Sequence, residues 1–534
     1  MPIMRTQTGL LDMRSCRIYI ASFAALIAFA SAAEAYTFKR SDATYAAPTT
    51  AEATSTQAGT SAVPRTLQSK LAEWVSVTDF GADPTGAANS TAAFAAAYAR
   101  IVSMGGGTLY IPVGTYSLSV MPTIAQNGVV IQCEGAGAEG GGTRLAQIST
   151  SGDFLTITGQ HVWIRDCEFE PSVRVTSGYQ IVFNNSFMSG AEYLRVERGY
   201  NGFHIYNGNE THLTEISLRS LLGTEGVRYD GTVNIQSYGF MINTMIMDNP
   251  YPGTGYGPVK SWATATSYTA NDIVYVNGNI YQCSTSGTSA GAGSGPAGLP
   301  TGTTPASAFT NTIVDGTAKW KFVSGTLNWI IHDNYATSLR TNNVNSINGY
   351  NGWLEMDTAN TGTSHPKFNM ANDYEGDHNF NNAIRLEAGY DNEIVNSWTG
   401  SSLTTNGIEA TSTYKGNLMI TNSRVTGNWG SGIYIGGGVG NIVNGNEIAS
   451  NSISGSAGHH GVEVAAGVKK FIVTGNILGK DGDIGSNNQG YGILITTGGS
   501  DYYNIVNNIC GAENVTGCVS DNGTGIHKTV TGNN

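Results

Sequence analysis

The chain has 534 residues, a formal net charge of −12 at pH 7 and only 12% charged residues. This acidic balance argues against a nucleic-acid partner or an anionic membrane surface. The 70 glycines, together with a lack of leucine-rich periodic segments, indicate short strands and tight turns rather than helices.

The beginning of the chain has the layout of a secretory signal. Arg14 and Arg17 precede the apolar run 18–30, and small residues follow it up to a cleavage point near Ala35 and Tyr36. We therefore expect a secreted protein, extracellular or periplasmic, without a membrane partner after cleavage. An uncleaved anchor is the alternative, although the run is short for a bilayer.

Five cysteines remain once the signal is removed, which is too few for a disulfide framework in a chain of this length. Two disulfide bonds could form, one between Cys133 and Cys167 and one between Cys510 and Cys518. Cys283 would then be left as a single thiol.

An alanine-rich helix is predicted over residues 89–104. Asn89 or Ser90 would cap its start, and the glycines at 105–107 would end it. Its apolar positions recur at three- and four-residue spacing, at Ala93, Phe94, Ala97, Tyr98 and Ile101.

A compact β module is predicted over residues 261–324, around an Asn-Gly turn at 277–278 and an Asp-Gly turn at 315–316. Exposed aromatic faces pack on pyranose rings, so the aromatics of this segment are candidate substrate contacts. These residues are Trp262, Tyr268, Tyr281 and Trp320. The alternative, that they form the core of a small module, stays open. The segment resembles the small aromatic modules of chitinases and phage tail proteins, which implies sugar binding.

Two strand motifs recur through the second half of the chain. One begins with glycine at 407, 432, 461 and 492, and the other includes the Ile-Val-Asn sequences at 442 and 505. A period of this length with two strands per repeat predicts a solenoid whose coils share one core. Polar residues at one turn position are expected to adopt a left-handed turn and to form a side-chain ladder, at Ser397, Asn446, Asn476 and Asn508.

These repeats predict an all-β chain folded as a parallel β-helix. Because the end of such a solenoid exposes unpaired strand edges, the helix 89–104 is expected to cap the first coil. The predicted organisation is a signal peptide (1–35), a linker or N-terminal arm (36–70), a first β-helical part (71–260), the inserted module (261–324) and a second β-helical part (325–534).

The stretch 65–119 reads RTLQSKLAEWVSVTDFGADPTG, then the predicted helix, then GGGTLYIPVGTYSL. It resembles the head of pectate-lyase-like right-handed β-helix proteins, especially phage tailspike depolymerases and their bacterial relatives. The resemblance implies a right-handed parallel β-helix and a polysaccharide substrate. Its members include lyases, glycoside hydrolases and epimerases, so it leaves the reaction open. Tailspike relatives are trimers, and the resemblance permits a homotrimer here.

Charged residues on the outer wall are the candidate catalytic groups. Side chains alternate along a strand, so acids between apolar residues are expected to face outward and to stack in a column. The strand candidates are Glu355, Asp357, Arg385, Glu387 and Glu409, and the loop 372–378 adds Asp373, Glu375 and Asp377. Tyr434 and Glu463 in the same column are candidate substrate contacts.

Carboxylates on neighbouring coils would stand near the spacing that glycosidases use. A lyase instead needs a cation for the substrate carboxylate, and a base. Because the predicted wall is acidic, hydrolysis is slightly favoured over elimination. No cofactor is required, although the acids of 372–378 could hold calcium. A non-catalytic glycan-binding protein and a tailspike-like fibre are the remaining alternatives.

Overall fold

The computed structural model describes most of the chain from residue 53 to the end. The described residues are 53–56, 58–137, 141–223, 225–231, 237–247, 260–325, 329–334, 336–347, 351–356, 366–379, 381–402, 404–453, 455, 457–479, 488–510 and 514–534. The predicted signal peptide lies outside them. Within these ranges, no helix is long and apolar enough to cross a membrane.

The chain divides into two compact units, with the boundary between residues 72 and 73. In the described part of the first unit, strands β1 (Thr54–Ser55) and β2 (Arg65–Thr66) pair antiparallel, and helix α1 (Leu67–Leu71) follows directly. The Thr66 hydroxyl caps α1 by accepting a hydrogen bond from the amide of Ser69.

The second unit begins with short strands and one long helix. Its elements before the insertion are β3 (Trp74–Ser76), a 3₁₀ turn (Val77–Phe80), β4 (Thr85–Asn89), α2 (Thr91–Met104), β5 (Gly107–Ile111), β6 (Gly114–Leu118), β7 (Val129–Cys133), β8 (Thr143–Gln147), β9 (Leu155–Ile157), β10 (Trp163–Arg165), β11 (Glu168–Phe169), β12 (Tyr179–Asn184), β13 (Gly190–Glu197), β14 (Asn201–Tyr206), β15 (Thr211–Arg219), β16 (Glu225–Asp230) and β17 (Gly239–Met247).

The insertion contributes two small sheets of its own. Its elements are β18 (Lys260–Ser261), β19 (Ser267–Tyr268), β20 (Ile273–Val276), β21 (Asn279–Thr285), β22 (Gly287–Thr288), α3 (Ser307–Thr310), β23 (Ile313–Asp315) and β24 (Ala318–Gly325).

The remaining strands are short and regularly spaced. They are β25 (Trp329–Asn334), β26 (Arg340–Ile347), β27 (Asn351–Met356), β28 (Met370–Asn372), β29 (Tyr374–Asp377), β30 (Ile384–Leu386), β31 (Glu393–Val395), β32 (Trp398–Gly400), β33 (Ile408–Ala410), β34 (Met419–Thr421), β35 (Arg424–Thr426), β36 (Ile433–Ile435), β37 (Ile442–Asn444), β38 (Glu447–Ala449), β39 (Val462–Val464), β40 (Lys469–Thr474), β41 (Ile477–Gly479), β42 (Tyr491–Gly498), β43 (Asp501–Val506), β44 (Gly517–Gly523) and β45 (Lys528–Thr531).

Parallel pairing between successive coils builds three walls around one apolar core. The first wall runs from β3 through β10, β31 and β40 to β45, and the second from β4 through β11 and β32 to β41. The long strands β13, β15, β17 and β26 contribute to both of these walls. The third wall stacks β9, β12, β14, β16, β25, β27, β30, β33, β36, β39, β42 and β44. The predicted right-handed parallel β-helix is therefore confirmed.

The turn between the first two walls carries the predicted polar ladder. The backbone N–H of Asn446 donates to Asn476 Oδ1 at 3.0 Å, and the backbone N–H of Asn476 donates to Asn508 Oδ1 at 3.0 Å. Ser397 and Ser423 continue the ladder toward the N-terminus. The left-handed conformation, however, falls one residue earlier, at Asn396, Gly445, Gly475 and Asn507, because the ladder residue itself must turn its side chain inward to reach the next coil.

Helix α2 closes the first coil as predicted. Its buried face is Ala93, Phe94, Ala97 and Ile101, and the Phe94 ring packs edge-on against Tyr116 of β6 at 5.6 Å. The Ser90 hydroxyl does not cap the helix, since it accepts a hydrogen bond from the amide of Asp83. Asn89 Oδ1 instead accepts from the amide of Thr91 at 3.0 Å.

Both candidate cysteine pairs are disulfides in the structure. Cys133 and Cys167 join neighbouring coils, and Cys510 and Cys518 close a short loop near the C-terminus. Cys283 is a buried free thiol in the insertion.

Candidate active site

The predicted column exists on the outer face of the third wall. Arg385 pairs in register with Glu409, Glu409 with Tyr434, and Tyr434 with Glu463. The alternation of buried and outward residues was therefore interpreted correctly for these four strands. We call the register line on which they lie the outer row.

Two predicted acids, Glu409 on the outer row and Glu387 beside it, are ion-paired with the arginine of the row. Arg385 Nε lies 2.7 Å from Glu387 Oε1, and Arg385 Nη1 lies 3.5 Å from Glu409 Oε1. Glu409 also accepts a hydrogen bond from Asn382 Nδ2 at 3.0 Å. Further along, Glu463 accepts one from the Ser431 hydroxyl at 2.7 Å. Each of these carboxylates thus has an ion-pair or hydrogen-bond partner.

The prediction that Glu355 faces outward is wrong. Its side chain is fully buried, and the register places Leu354, not Glu355, on the outer row beside Arg385. The cause is Trp353, which is buried next to Ile384 of the following coil. Because side chains alternate along a strand, Glu355 then points inward like Trp353. Asp357 lies outside the described residues.

Glu355 shares the solenoid interior with a second buried acid, Asp333. Asn369 Nδ2 donates to Asp333 Oδ2 at 2.8 Å and to Glu355 Oε2 at 3.1 Å, so one amide bridges both carboxyl groups. Asn392 Nδ2 donates to Glu355 Oε1 at 2.7 Å. Burial raises the pKa of Glu355 to about 7, and burial with the nearby Glu355 charge raises the pKa of Asp333 well above its usual value. This pair is shielded from substrate.

The segment 372–378 is not a loop. It forms the end of β28 and all of β29, joined by Asp373 in the left-handed conformation. Its buried side, Tyr374, lies in the core. The turn at Asp373 therefore belongs to the same series as the turns of the other coils, and the prediction of a loop over 372–378 is wrong.

Asp373 and Glu375 line an open groove of about 660 Å³ together with Trp398, Arg424 and Glu447. Burial, with the charges of Asp377 and Asp373, raises the pKa of Glu375. Asp377 Oδ1 lies 2.6 Å from His378 Nδ1. Within the described ranges, no group of three or more His, Cys, Asp or Glu side chains could hold a metal ion, and calcium binding at 372–378 stays a prediction.

Three of the four candidate aromatics of the insertion form its core instead of a binding surface. Tyr268, Tyr281 and Trp320 are buried, and the Tyr268 and Trp320 rings meet edge-on at 5.0 Å. Trp262 is half-buried, and its Nε1 donates to Asp315 Oδ2 at 2.8 Å. Tyr275, on the neighbouring strand β20, is the exposed aromatic residue that stands beside it.

A second cluster of functional groups lies further along the outer row. His204, Arg228 and His332 are in register on adjacent strands β14, β16 and β25, and Leu354 links this part of the row to Arg385. Stacked strands stand about 4.8 Å apart. Two imidazoles therefore flank one guanidinium on a single face, and the sequence analysis missed this arrangement.

Glu225 orients two members of the cluster from one end of β16. Its Oε1 lies 2.6 Å from His332 Nδ1 and 2.8 Å from Arg228 Nη1, while its Oε2 accepts a hydrogen bond from the Tyr179 hydroxyl. Burial opposes ionisation of Glu225, but the His332 hydrogen bond and the Arg228 charge prevail and lower its pKa. A carboxylate at Nδ1 fixes the imidazole tautomer with its proton on Nδ1 and its lone pair on Nε2.

Asp230 holds the opposite side of the guanidinium. Its Oδ2 lies 3.0 Å from Arg228 Nε and 2.9 Å from Nη2, and it stands 3.6 Å from His204 Nε2. Asn334 Nδ2 donates to its Oδ1 at 2.9 Å. Although burial raises the pKa of Asp230, the contacts with His204 and Arg228 lower it overall.

Tyr179 closes the cluster beside His204. The two rings stack with their centres 4.8 Å apart. Burial and the Glu225 carboxylate raise the pKa of the Tyr179 phenol, so this hydroxyl stays protonated at neutral pH and serves as a donor. We call Tyr179, His204, Glu225, Arg228, Asp230 and His332 the His–Arg cluster.

The His–Arg cluster combines a fixed cation, two imidazoles and a phenol. The side chains of His204, Arg228 and Asp230 are partly exposed, whereas Glu225 and His332 are buried. A guanidinium has five N–H groups, and the bonds to Glu225 and Asp230 use three of them. The guanidinium is also hydrogen-bonded to the Tyr179 hydroxyl, so one N–H group remains for an anionic group of a substrate. The two imidazoles lie beside the guanidinium, where each can donate or accept a proton during a reaction.

The insertion is the part of the chain that matches a family model. Residues 261–307 match carbohydrate-binding module family 5/12. No curated protein matches the chain.

Among solved structures, the chain is similar to the A-module of mannuronan C-5 epimerase AlgE6 from Azotobacter vinelandii, at 16% identity and a TM-score of 0.48, over 86% of this chain and 98% of that one. It is also similar to the Dettilon tailspike protein, at 13% identity and a TM-score of 0.44, over 87% and 70%. A third match is the catalytic unit of a GH87 α-1,3-glucanase from Streptomyces thermodiastaticus strain HF3-3, at 15% identity and a TM-score of 0.36, over 86% and 68%.

Proposed function

We propose that the protein is a polysaccharide lyase that cleaves a uronate-containing glycan by β-elimination at the His–Arg cluster. The observation that carries this proposal is the alignment of His204, Arg228 and His332 on one outward row. Elimination beside a carboxylate needs a cation to neutralise that carboxylate and a base to remove the neighbouring proton. Both requirements are met here within one patch.

The roles follow from the contacts of each side chain. Arg228, held rigidly between Glu225 and Asp230, binds the uronate carboxylate and stabilises the negative charge that develops on it. His332, whose Nδ1 is bonded to Glu225, removes the C5 proton through Nε2, an atom that is buried in the free protein and that substrate binding must expose. The C5–H electron pair forms the C4=C5 double bond, the C4–O4 bond breaks, and His204 delivers a proton to O4.

The hydrolase predicted from the sequence needs two carboxyl groups at the substrate. In the structure Glu355 is buried, and Glu387 and Glu409 are both paired with Arg385. The acids around Arg385 are therefore weaker candidates than the His–Arg cluster, and hydrolysis at the groove of Asp373 and Glu375 is the second candidate function. The match of residues 261–307 to a carbohydrate-binding module family supports a polysaccharide as the substrate. Secretion and a homotrimer stay predictions.

The test follows two signals on a panel of polysaccharides, with polymannuronate, polyguluronate and polygalacturonate against neutral dextran and xylan. Ultraviolet absorbance from new double bonds, rising together with reducing ends on a uronate polymer, is the expected result. Reducing ends without absorbance would overturn the proposal in favour of hydrolysis.

A third readout separates elimination from epimerisation, which begins with the same loss of the C5 proton. Proton NMR of the recovered polymer reports the configuration at C5. Inversion without chain cleavage would reject elimination while keeping the proton transfer at the His–Arg cluster. Retained polymer binding with no chemical change would leave a glycan-binding protein as the function.

A further inference from the structure

A second charged groove lies on the second wall, on a different sheet face from the His–Arg cluster. Its volume is about 550 Å³. Six charged side chains from β8, β11, β13 and the residues that follow these strands line it: Arg144, Glu168, Glu170, Arg195, Glu197 and Arg198. We call it the Arg–Glu groove.

Two of the three acids in the groove are tightly paired. Glu170 lies 2.9 Å from Arg144 Nη2 and 2.6 Å from Arg198 Nη1. Glu197 lies 2.9 Å from Arg198 Nη2 and accepts a hydrogen bond from Arg195 Nε at 2.8 Å. Glu168 has only a looser contact, 3.6 Å from Arg195 Nε. Glu168 is thus the acid whose charge is least compensated.

Two buried polar atoms in the groove have no hydrogen-bond partner among the described residues: Glu168 Oε2 and Arg144 Nε. The Glu168 side chain is only 4% exposed. Glu168 and Arg144 are register partners on adjacent strands, so these two atoms belong to neighbouring positions of the same groove. A buried polar atom without a partner is costly, and a ligand group that pairs with both atoms would remove that cost.

The charge of the groove depends on Glu168. Burial and the Glu170 charge raise the pKa of Glu168 to about 7, Glu197 contributes in the same direction, and Arg195 and Arg144 oppose them. Below that pH the carboxyl is neutral, so three guanidinium groups face two carboxylates. The groove then carries an excess positive charge, and Glu168 offers an O–H donor beside the Arg144 Nε–H donor.

We propose that the Arg–Glu groove is a separate binding site for the carboxylate of an acidic sugar, which accepts hydrogen bonds from Arg144 and from the protonated Glu168. The sugar class rests on the proposed function, because the groove would hold another part of the same uronate polymer. The anionic character of the ligand follows from the groove alone, since both unpartnered donors and the excess charge favour a carboxylate.

The test measures binding of glucuronic acid to the full chain carrying Arg228→Gln, because Arg228 is the group proposed to bind a uronate carboxylate at the His–Arg cluster. Titration calorimetry at about pH 5.5 and about pH 8.5 brackets the ionisation of Glu168, whereas the sugar carboxyl is ionised at both values. We expect the affinity to fall about tenfold or more at the higher pH. In Glu168→Gln, which keeps a neutral donor at all pH values, the affinity at the lower pH should persist at the higher one.

A matched control is Glu192→Gln on β13, since Glu192 pairs with Arg165 outside the groove. This variant should keep the pH dependence of the parent. Arg144→Lys, which loses the Nε–H donor, should weaken binding about tenfold at the lower pH. Melting temperatures verify that each variant is folded, and the pH dependence of the parent chain tests the proposal without any groove variant.

Equal affinity at both pH values, or a pH dependence that survives in Glu168→Gln, would overturn the proposal. Acetate that binds as tightly as glucuronic acid would reject the sugar and leave a general anion site. Binding of neutral glucose with equal affinity would reject the carboxylate. Because the readout is binding and not cleavage, a chain that cleaves no polymer but binds glucuronic acid through Glu168 would reject the lyase and retain the groove.

Discussion

At the scale of single residues, the buried pair Asp333 and Glu355 makes stability depend on pH. Both carboxyl groups have raised pKa values in the folded chain, so the folded state binds more protons than the unfolded state above the ordinary carboxyl pKa. The stability they contribute is therefore present at acidic pH and is lost as the pH rises toward about 7 and beyond.

Glu355→Gln should flatten this dependence, because it removes the ionisable group, although its NH2 replaces an oxygen that accepts from Asn369 or Asn392. Melting temperatures measured between about pH 5 and about pH 8 should fall for the wild type and fall less for the variant, by on the order of 2 °C. Glu387→Gln, a change of the same type at a half-buried site, is the control. A variant as pH-sensitive as the wild type would disprove the assignment.

Arg228 provides a second prediction at this scale. Arg228→Lys keeps the charge but cannot bridge Glu225 and Asp230 while also binding a substrate carboxylate, because lysine lacks the planar fork of N–H groups. We expect kcat/KM on a uronate polymer to fall about a hundredfold. Arg424→Lys, on the second wall, should leave it unchanged, and an equal loss in both variants would contradict the role of Arg228.

At the scale of elements, the asparagine ladder carries the register of the turns between the first two walls. Asn476 Oδ1 accepts from both the amide and the side chain of Asn446, and its Nδ2 donates to the Val443 carbonyl. Asn476→Ala would leave buried groups unpaired, and we expect a loss of about 3 kcal/mol in the free energy of unfolding. Denaturant unfolding measures this loss.

The control is the exposed Asn444. Asn444→Ala should lower the free energy of unfolding by less than about 0.5 kcal/mol. Equal losses in the two variants would mean that the ladder does not stabilise the fold.

The insertion offers a prediction that separates core from surface. Trp320→Ala removes a fully buried ring and should destabilise the module by about 3 kcal/mol or more. Tyr275→Ala removes an exposed ring and should weaken pull-down by insoluble polysaccharide while leaving the melting temperature unchanged. If Tyr275→Ala binds like the wild type, the sugar-binding surface lies elsewhere on the module.

The elements also show how much could be predicted from the sequence. The strands Ile384–Leu386, Ile408–Ala410, Ile433–Ile435 and Val462–Val464 each place one polar residue between two apolar ones, so their outward positions were predicted correctly. The prediction for the strand at Trp353 was wrong because the side chain of Glu355 is buried inside the solenoid. Hydrogen bonds from Asn369 and Asn392 make this burial tolerable. Those partners come from other coils, which a single strand does not reveal.

The His–Arg cluster was missed although a signal for it was present. His204 stands between Phe203 and Ile205, which are both buried, and Arg228 stands between Val227 and Tyr229, which are also buried. This is the pattern that identified Arg385 and Glu409. The insertion interrupts the regular spacing of the strands in this part of the chain. The sequence therefore does not reveal that β16 and β25 are neighbours.

At the scale of the whole molecule, one outer row runs from His204 to Glu463 and contains both candidate centres. Its first part supplies imidazoles around a cation, and its second part supplies acids around Arg385. A polymer lying along the row would contact both parts. In the proposed reaction the chemistry occurs in the first part of the row, while the second part binds the polymer.

The most direct measurement compares kcat for His332→Ala and Glu409→Gln on the uronate polymer that the wild type degrades, following the absorbance of new double bonds. With both variants folded to the wild-type melting temperature, His332→Ala should lose between about a hundredfold and ten-thousandfold in kcat, whereas Glu409→Gln should change kcat less than about threefold and act mainly on KM. The reverse result, with His332→Ala active and Glu409→Gln inactive, would contradict the account and return the reaction to the acids around Arg385.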